Sequence, residues 1–443
     1  LKILDSAKSN HKKFVEDCFD KISVNIDIFN IRANWPLFKE KILLLPFDIE
    51  CEFLLKTKQK VPKISQYVTS GKKVVSIKTQ HCVDDYNFSR IFNDAGFDVL
   101  PICSKENPSR PIKDIFTRNS FNPFNEPIYS LCQFENGSLS QCGTFSDDFS
   151  NLVDLFFFVD LPGYAHRTAI LNPEKTIVYQ MNGQKTDSEI KRFAMKSSSL
   201  KNLYICSYSL AEHSIVCLYK KECMYIPWFV DCSFFIPSNN KKNRVLTFNQ
   251  SFFKRDVCYP DVYLDIVKDL QYETLLCGIG NESIHDVPVV GFVPYEDMPR
   301  IYGESSCYLY MGTNPADYTY NLIEAMSCGL PVVGYRVFDD GIKQHINEID
   351  SIFDNKTNGF YYDNSKDMVS KINEIVSDSN LAKQIGEESR NYALNNFDYP
   401  VILSKWTSFL SSVYLCGGNT SMVFDPKLFN IPQDTRRLTI EEK

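Results

Sequence analysis

No CxxC pair occurs in these 443 residues, although the chain holds 15 cysteines. An odd, scattered set of thiols speaks against both a zinc site and a disulfide framework, and reduced intracellular cysteines are the simplest reading. There is no Asp-x-Asp triplet of the kind that holds a divalent ion. No apolar run reaches the ~18 residues that a bilayer span requires. The apolar stretch from Leu152 to Leu161 is interrupted by Asp154 and Asp160. No secretory leader is legible after Leu1, and a cytoplasmic location is expected. Positive charge is scarce as well: 48 Lys and Arg face 55 Asp and Glu, for a net charge of −7. That balance argues against an extended nucleic-acid surface, although a local basic cleft stays open. What is present is ordinary for a globular protein: 44% hydrophobic and 23% charged residues, and length enough for two or three domains.

The densest pattern lies between Asp317 and Tyr335, DYTYNLIEAMSCGLPVVGY. Tyr320, Ile323, Glu324 and Ser327 recur at helical spacing, and Gly329 followed by Pro331 supplies a stop. Pro331 to Tyr335 is short, apolar and β-branched, as a buried parallel strand should be. Cys307 to Met311 reads as the preceding strand, so the 312–316 loop delivers the helix start to the carboxyl edge of a sheet, where ligands bind in open α/β folds. The amides of Tyr318 and Thr319 would face that edge, and a helix N-terminus is suited to an anion.

The run LIEAMSCGLPVV resembles the donor-site signature of the family 4 retaining glycosyltransferases, which have the GT-B fold. The resemblance implies an α/β chain with two Rossmann-like domains facing across a cleft, and an N-terminal extension. It implies hexosyl-type transfer from a nucleotide-diphosphate sugar to a hydroxyl acceptor, with retention at the anomeric carbon and no metal. The nucleotide sugar is a donor substrate, and no cofactor is expected. Glu324 would hold the ribose hydroxyls, and the helix start would cradle the diphosphate. The family's other Glu falls on Ala316, with Asp317 beside it; Asp317 either stands in for that carboxylate at the sugar or caps the helix. The implied organisation is an extension over 1–72, an acceptor domain over 73–240, a nucleotide-sugar domain over 241–400, and a crossing helix with tail over 401–443.

Taken in order, Val74 to Lys78, a helix over Asn87 to Ala95, Gly96 as a C-cap and Phe97 to Ile102 make a β-loop-α-β unit. His81, in its loop, is a candidate acceptor contact. Leu152 to Val159 reads as a buried strand that empties into a loop from Asp160 to Arg167. Thr176 to Gln180 is another strand, emptying into Met181 to Gln184. The family often carries a His in this second loop; here it is absent, which leaves Asp160, His166 and Asn182 as candidates. Leu203 to Ser207 is a strand followed by a helix through His213. WFVDCSFFIP resembles the family's interdomain run, with Trp228 and Phe229 in place of Asn and Gly.

Val245 to Phe248 then reads as the first strand of the second domain. In the family the next turn bears an Arg and, five residues on, a Lys, both at the diphosphate. Two registers fit here, Asn249 with Lys254 or Gln250 with Arg255, and the strand length favours the first slightly. Either way an amide replaces the Arg and a cation remains, where the leaving diphosphate gains charge in the transition state. Gly278 and Gly280 resemble the family's GxG turn, Gly291 to Pro294 its next segment before a helix over Glu296 to Tyr302, and Asn358 to Phe360 its NG turn. Asp339 to Gly341 opens a helix. Met368, Ile372, Ile375 and Val376 mark a further helix, and Val401 to Val413 the last one.

Two other readings stay open. A nucleic-acid-base glycosyltransferase of the same fold would need a basic groove. The groove would come from the insertion over 103–150, where Arg110, Lys113 and Arg118 alternate with Phe116, Phe121, Phe124 and Tyr129, or from Lys185, Lys191, Arg192 and Lys196. A catalytically reduced binding module is favoured by the missing Arg, Glu and His, and opposed by Glu324 and the Lys254–Arg255 pair. The acceptor, whether glycan, protein, small molecule or modified base, is not legible.

Overall fold

The computed structural model describes residues 72–79, 82–102, 135, 139, 143–181, 186–255, 258–281, 287–313, 316–336 and 349–415. The chain separates into two compact units, residues 1–180 with 196–204 and residues 181–195 with 205–443.

Six strands form the first sheet: β1 (Val74–Lys78), β2 (Asp98–Pro101), β3 (Leu155–Val159), β4 (Thr176–Gln180), β5 (Leu203–Ser207) and β6 (Cys223–Tyr225), in the order β2-β1-β3-β4-β5-β6. β1 runs parallel to both β2 and β3, β3 to β4, and β5 to β6. Every residue of VVSIK and LFFFV is buried, as expected of strands covered on both faces. Phe157 meets Phe88 of the helix Cys82–Asp94 with ring centroids 4.6 Å apart, and Phe156 stacks on Phe145 at 5.2 Å. Each such ring contributes about 2–3 kcal/mol by leaving water.

Two readings on this side are corrected. Leu152 to Val159 is not one strand, because a helix Asp147–Leu152 precedes β3. Ser146 caps it, its Oγ accepting from Phe149 N at 3.1 Å, and Asp147 and Asp148 supply the acidic first turn. The segment from Asp160 to Arg167 is not a loop either: a helix Pro162–Leu171 starts two residues after Asp160. Proline suits a first turn, where its missing N–H costs nothing. His166 and Arg167 are therefore buried helical residues.

The second sheet holds β7 (Arg244–Phe248), β8 (Glu273–Cys277), β9 (Val289–Val290), β10 (Cys307–Tyr310), β11 (Val332–Tyr335) and β12 (Phe360–Tyr362), in the order β12-β11-β10-β7-β8-β9. All neighbours are parallel. From β7 the chain adds β8 and β9 on one side, then crosses back to lay β10, β11 and β12 on the other. This is the doubly wound nucleotide-binding order, with its reversal between β7 and β10.

The helix Tyr320–Ser327 forms where the spacing predicts it, and Gly329 ends it at φ 62. The helix Ser365–Ser377 buries Met368, Ile372, Ile375 and Val376. The expected helix over Glu296 to Tyr302 runs from Met298 to Glu304, after a short turn. One long helix, Ser379–Asn396, is not announced by apolar periodicity, because its buried face is Ile385, Gly386, Ser389 and Ala393. Small residues there let it approach the helix Tyr320–Ser327 closely, and a Cβ on Gly386 would collide with the Gly329 carbonyl. Its Arg390 donates from Nη1 to the carbonyls of Phe235 (2.8 Å) and Ser327, and from Nη2 to that of Cys232 (3.2 Å). The last helix is Tyr399–Leu415. The predicted helix opening at Asp339 lies outside the described residues, as do His81, Asn182 and most of 103–150. Among the described residues no helix is long and apolar enough to cross a membrane, and eight cysteines are free.

Candidate functional site

Where a doubly wound sheet reverses its order, the loops leaving the two diverging strands part and leave a crevice at their carboxyl ends. In the second sheet these are the loops after Phe248 and Tyr310. Asn249 ties them together: its backbone N donates to Cys277 O at 2.9 Å, and its Nδ2 to Gly312 O at 3.3 Å. From the helix start, Asn321 Nδ2 donates to Phe248 O at 2.6 Å. Gly278 lies directly beneath the turn with φ 132, and any Cβ there would strike the Asn249 carbonyl. A Cβ on Gly280, at φ 80, would meet the Ser251 hydroxyl. Asn281 stitches the two turns, donating to Asn249 O (2.8 Å) and Gly278 O (3.1 Å) and accepting from Phe252 N (2.7 Å). The GxG of the sequence is thus a packing device that fixes the turn after β7.

The two candidate cations differ in setting. Lys254 ends the short turn Phe252–Lys254 with its side chain exposed. Arg255 is half-buried, and its Nη1 donates to the carbonyl of Gln250 at 3.5 Å, joining the two residues of the second register. Asn249 points back to Gly312 while Gln250 is exposed.

On the other side of the crevice Thr319, with extended backbone, occupies the N-cap of the helix Tyr320–Ser327 without a side-chain cap bond. Its hydroxyl donates to Asn321 Oδ1 instead. Asp317 is therefore not the cap, and because the helix starts only at Tyr320 it does not share a helical face with Glu324. Asp317 is fully buried, and its amide donates to Tyr208 Oη at 2.7 Å. Tyr318 Oη donates to the carbonyl of Tyr208 at 2.7 Å. Trp228 packs between Tyr208 (5.5 Å) and Tyr320 (5.0 Å), so the aromatic residue that stands where the family has Asn walls the helix start.

Glu324 sits on the next turn of that helix, 8% exposed, and its Oε2 accepts from Tyr302 Oη at 3.0 Å. Asn281, Asn321, Tyr208 and Tyr302 carry much of this geometry and were not candidates in the sequence. Asn281 and Asn321 adjoin the motifs, which is a usable signal; the tyrosines carry none.

In the first unit Asp160 follows β3 with φ 53, its amide donating to Gln180 O at 3.1 Å. Thr79 Oγ1 donates to Asp85 Oδ1 at 2.9 Å after β1. The helix beginning at Cys82 shortens the expected loop there. His166 is 3% exposed, and burial chiefly, with the Lys196 ammonium second, lowers its pKa to about 3 against the pull of the Lys196 backbone. It is a neutral imidazole at physiological pH.

Residues 259–392 match the family described as Glycosyl transferases group 1. An uncharacterized glycosyltransferase of Haemophilus influenzae is 28% identical over 156 residues, which are 34% of this chain and 41% of that protein. The match thus spans less than half the length of that relative. HepE of Anabaena, solved in complex with UDP and glucose, superposes with a TM-score of 0.58 at 13% identity, covering 77% of this chain and 100% of that one. Sucrose-phosphate synthase of Thermosynechococcus elongatus gives 0.56 at 12%, covering 78% and 100%. A glycosyltransferase of Rickettsia africae gives 0.53 at 13%, covering 78% and 99%. Similarity at such identity speaks for the fold. Two parallel sheets, a nucleotide-binding strand order in the second and these structural likenesses identify an α/β chain of the GT-B fold, whose residues 259–392 match the Glycosyl transferases group 1 family.

Proposed function

We propose that this chain transfers a sugar from a nucleotide-diphosphate sugar to a hydroxyl acceptor, with retention at the anomeric carbon. The observation that carries the reading is the reversal between β7 and β10. There the turn bearing Lys254 and Arg255, the Gly278–Gly280 turn and the start of the Glu324 helix converge, linked by Asn249, Asn281 and Asn321. Each part has a task. Glu324 takes the ribose hydroxyls, the amides at Tyr318 and Thr319 take the diphosphate, and Arg255 or Lys254 meets the charge that grows on the leaving group. The fold of Arg255 over Gln250 favours the second register, and with it Arg255 as the leading cation. Asp317, buried beneath Tyr208, is given a positioning task at the helix start rather than a contact with the sugar.

The diphosphate is met by amides and cations, so transfer proceeds without a divalent ion and persists in EDTA. Acceptor chemistry is assigned to the carboxyl edge of the first sheet, where Asp160 lies. His166 enters that assignment only as a buried neutral group. UDP-sugars head the donor panel, because HepE was solved with UDP and glucose. The test is release of nucleoside diphosphate from UDP-, GDP-, ADP- and TDP-sugars, with and without EDTA. Release from one donor that Glu324→Gln suppresses is the expected result. Binding of no donor, by release or by thermal shift, would remove the proposal, since a ligand of the folded state must raise its stability.

A further inference from the structure

Glu324 is 8% exposed, and the carboxylate of a residue so nearly buried needs donors that the protein supplies. For Glu324 one such donor is Tyr302, on the helix Met298–Glu304. We propose that Tyr302 is a positioning residue that sets the Glu324 carboxylate for the ribose of the donor nucleotide; this rests on the assignment of Glu324 made above.

Tyr302 is fully buried and cannot turn aside. Its ring stacks on Phe248 at 5.3 Å and 28°, and meets Tyr308 at 5.8 Å and Phe235 at 6.1 Å, both edge-on. Phe248 is itself held, its carbonyl accepting from Asn321 Nδ2 at 2.6 Å and from Tyr308 Oη at 3.4 Å. Because Phe248 is the last residue of β7, the side chain that fixes the Tyr302 ring also begins the turn bearing the cations. The phenol is thus registered to the same strand end that places the diphosphate-binding turn. Burial, and after it the Glu324 charge, push the Tyr302 hydroxyl well above its ordinary pKa, so it remains a protonated donor. A Glu side chain has three rotatable bonds, and anchoring one oxygen removes freedom that would otherwise be lost on binding ribose. A bond from a neutral donor to an ionised acceptor is among the stronger ones a protein makes.

The two hydroxyls of ribose give a readout that general damage does not. The full chain is titrated by calorimetry with UDP, GDP and ADP and with the 2′-deoxy form of each. The wild-type protein should prefer the ribo form of its nucleotide by about 10- to 100-fold. Tyr302→Phe, which keeps the ring, should leave affinity for the 2′-deoxy form within about twofold while reducing the ribo preference at least about fivefold. In a Glu324→Gln background the same change should reduce the preference no further, since the two residues act as one unit. Glu324→Asp, which keeps the charge but draws it back from the Tyr302 hydroxyl, should lose the preference as well, and it serves if the Phe variant does not fold.

An unchanged ribo preference in both variants, or an equal loss for ribo and deoxy forms in Tyr302→Phe, would overturn the positioning role. A wild-type protein that binds a nucleotide but shows no ribo preference would instead overturn the assignment of Glu324. Binding of none of the six, nor of TDP, would overturn the nucleotide-sugar reading together with it.

Discussion

At the carboxyl edge of the second sheet the backbone conformations that L side chains avoid fall on three glycines, Gly278, Gly280 and Gly312, and on Ser251 and Tyr259. At the edge of the first sheet β3 is followed by Asp160, which takes φ 53 with a side chain attached. The first arrangement presents backbone: glycines admit close approach, and asparagine side chains bridge neighbouring carbonyls. The second presents a side chain, and holds it in a left-handed conformation that costs about 1 kcal/mol or more. Backbone is suited to what every nucleotide-diphosphate sugar shares, its phosphates. Side chains suit what differs between enzymes, and the acceptor differs most.

The largest expected effect tests whether the glycine edge is as tightly built as the geometry shows. Gly278→Ala places a methyl group against the Asn249 carbonyl at φ 132, and should destabilise the protein by ~3 kcal/mol or more in urea unfolding. Gly163→Ala, in the helix Pro162–Leu171 with open space around it, should instead be neutral or stabilise by up to ~1 kcal/mol. Similar outcomes for the two would erase the distinction.

Next in size is the cation beside that edge. At saturating donor, Arg255→Ala should reduce turnover by more than about tenfold, equivalent to ~1.4 kcal/mol of barrier, and by more than Lys254→Ala does. Losses under about tenfold in both would mean that neither reaches the leaving diphosphate.

Much of the second half was legible because its elements follow from local chemistry. The spacing of Tyr320, Ile323, Glu324 and Ser327 predicts the helix that forms, and Gly329 stops it. What was not legible depends on packing. The helix Ser379–Asn396 buries Gly386, Ser389 and Ala393, which carry no apolar period, and its identity as a packed helix lies in how closely it meets Gly329. Tyr302 has no charge to mark it, so its bond to Glu324 exists only in three dimensions. In the first half, Asp160 to Arg167 read as an open loop because Pro162 and Gly163 are turn formers as often as helix starters. The structure resolves that ambiguity in favour of a helix and buries His166.

That burial supplies a third, smaller test. His166 has a folded pKa of about 3 against 6.5, so between those values the unfolded chain binds a proton that the folded chain refuses. Stability therefore rises with pH through that window and falls as the pH is lowered from about 6.5 towards 3. His213, lowered to about 4 by burial, acts in the same sense. Urea midpoints measured at neutral and at mildly acid pH should draw together in His166→Gln. An undiminished difference would mean that His166 is not the group that resists protonation.

The smallest effect concerns Asp160. Asp160→Gly relieves the left-handed strain and should stabilise the fold by ~0.5–1 kcal/mol, while turnover falls if the carboxylate serves the acceptor. A gain of stability with full activity would make the first edge merely strained, and the contrast between the two edges would then carry no functional meaning.

The wall of aromatic rings beside the helix start has an optical consequence. The chain has three tryptophans; Trp228 lies 5.0 Å from Tyr320, the first residue of the Glu324 helix, and is 4% exposed. Trp406, 1% exposed, lies in the last helix against Phe409. Indole emission depends on the polarity and charge around the ring, so a phosphate seated at the helix start would alter the light from Trp228. With Trp228→Phe as the blank, that change would report occupancy of the proposed donor site, without a label and in real time.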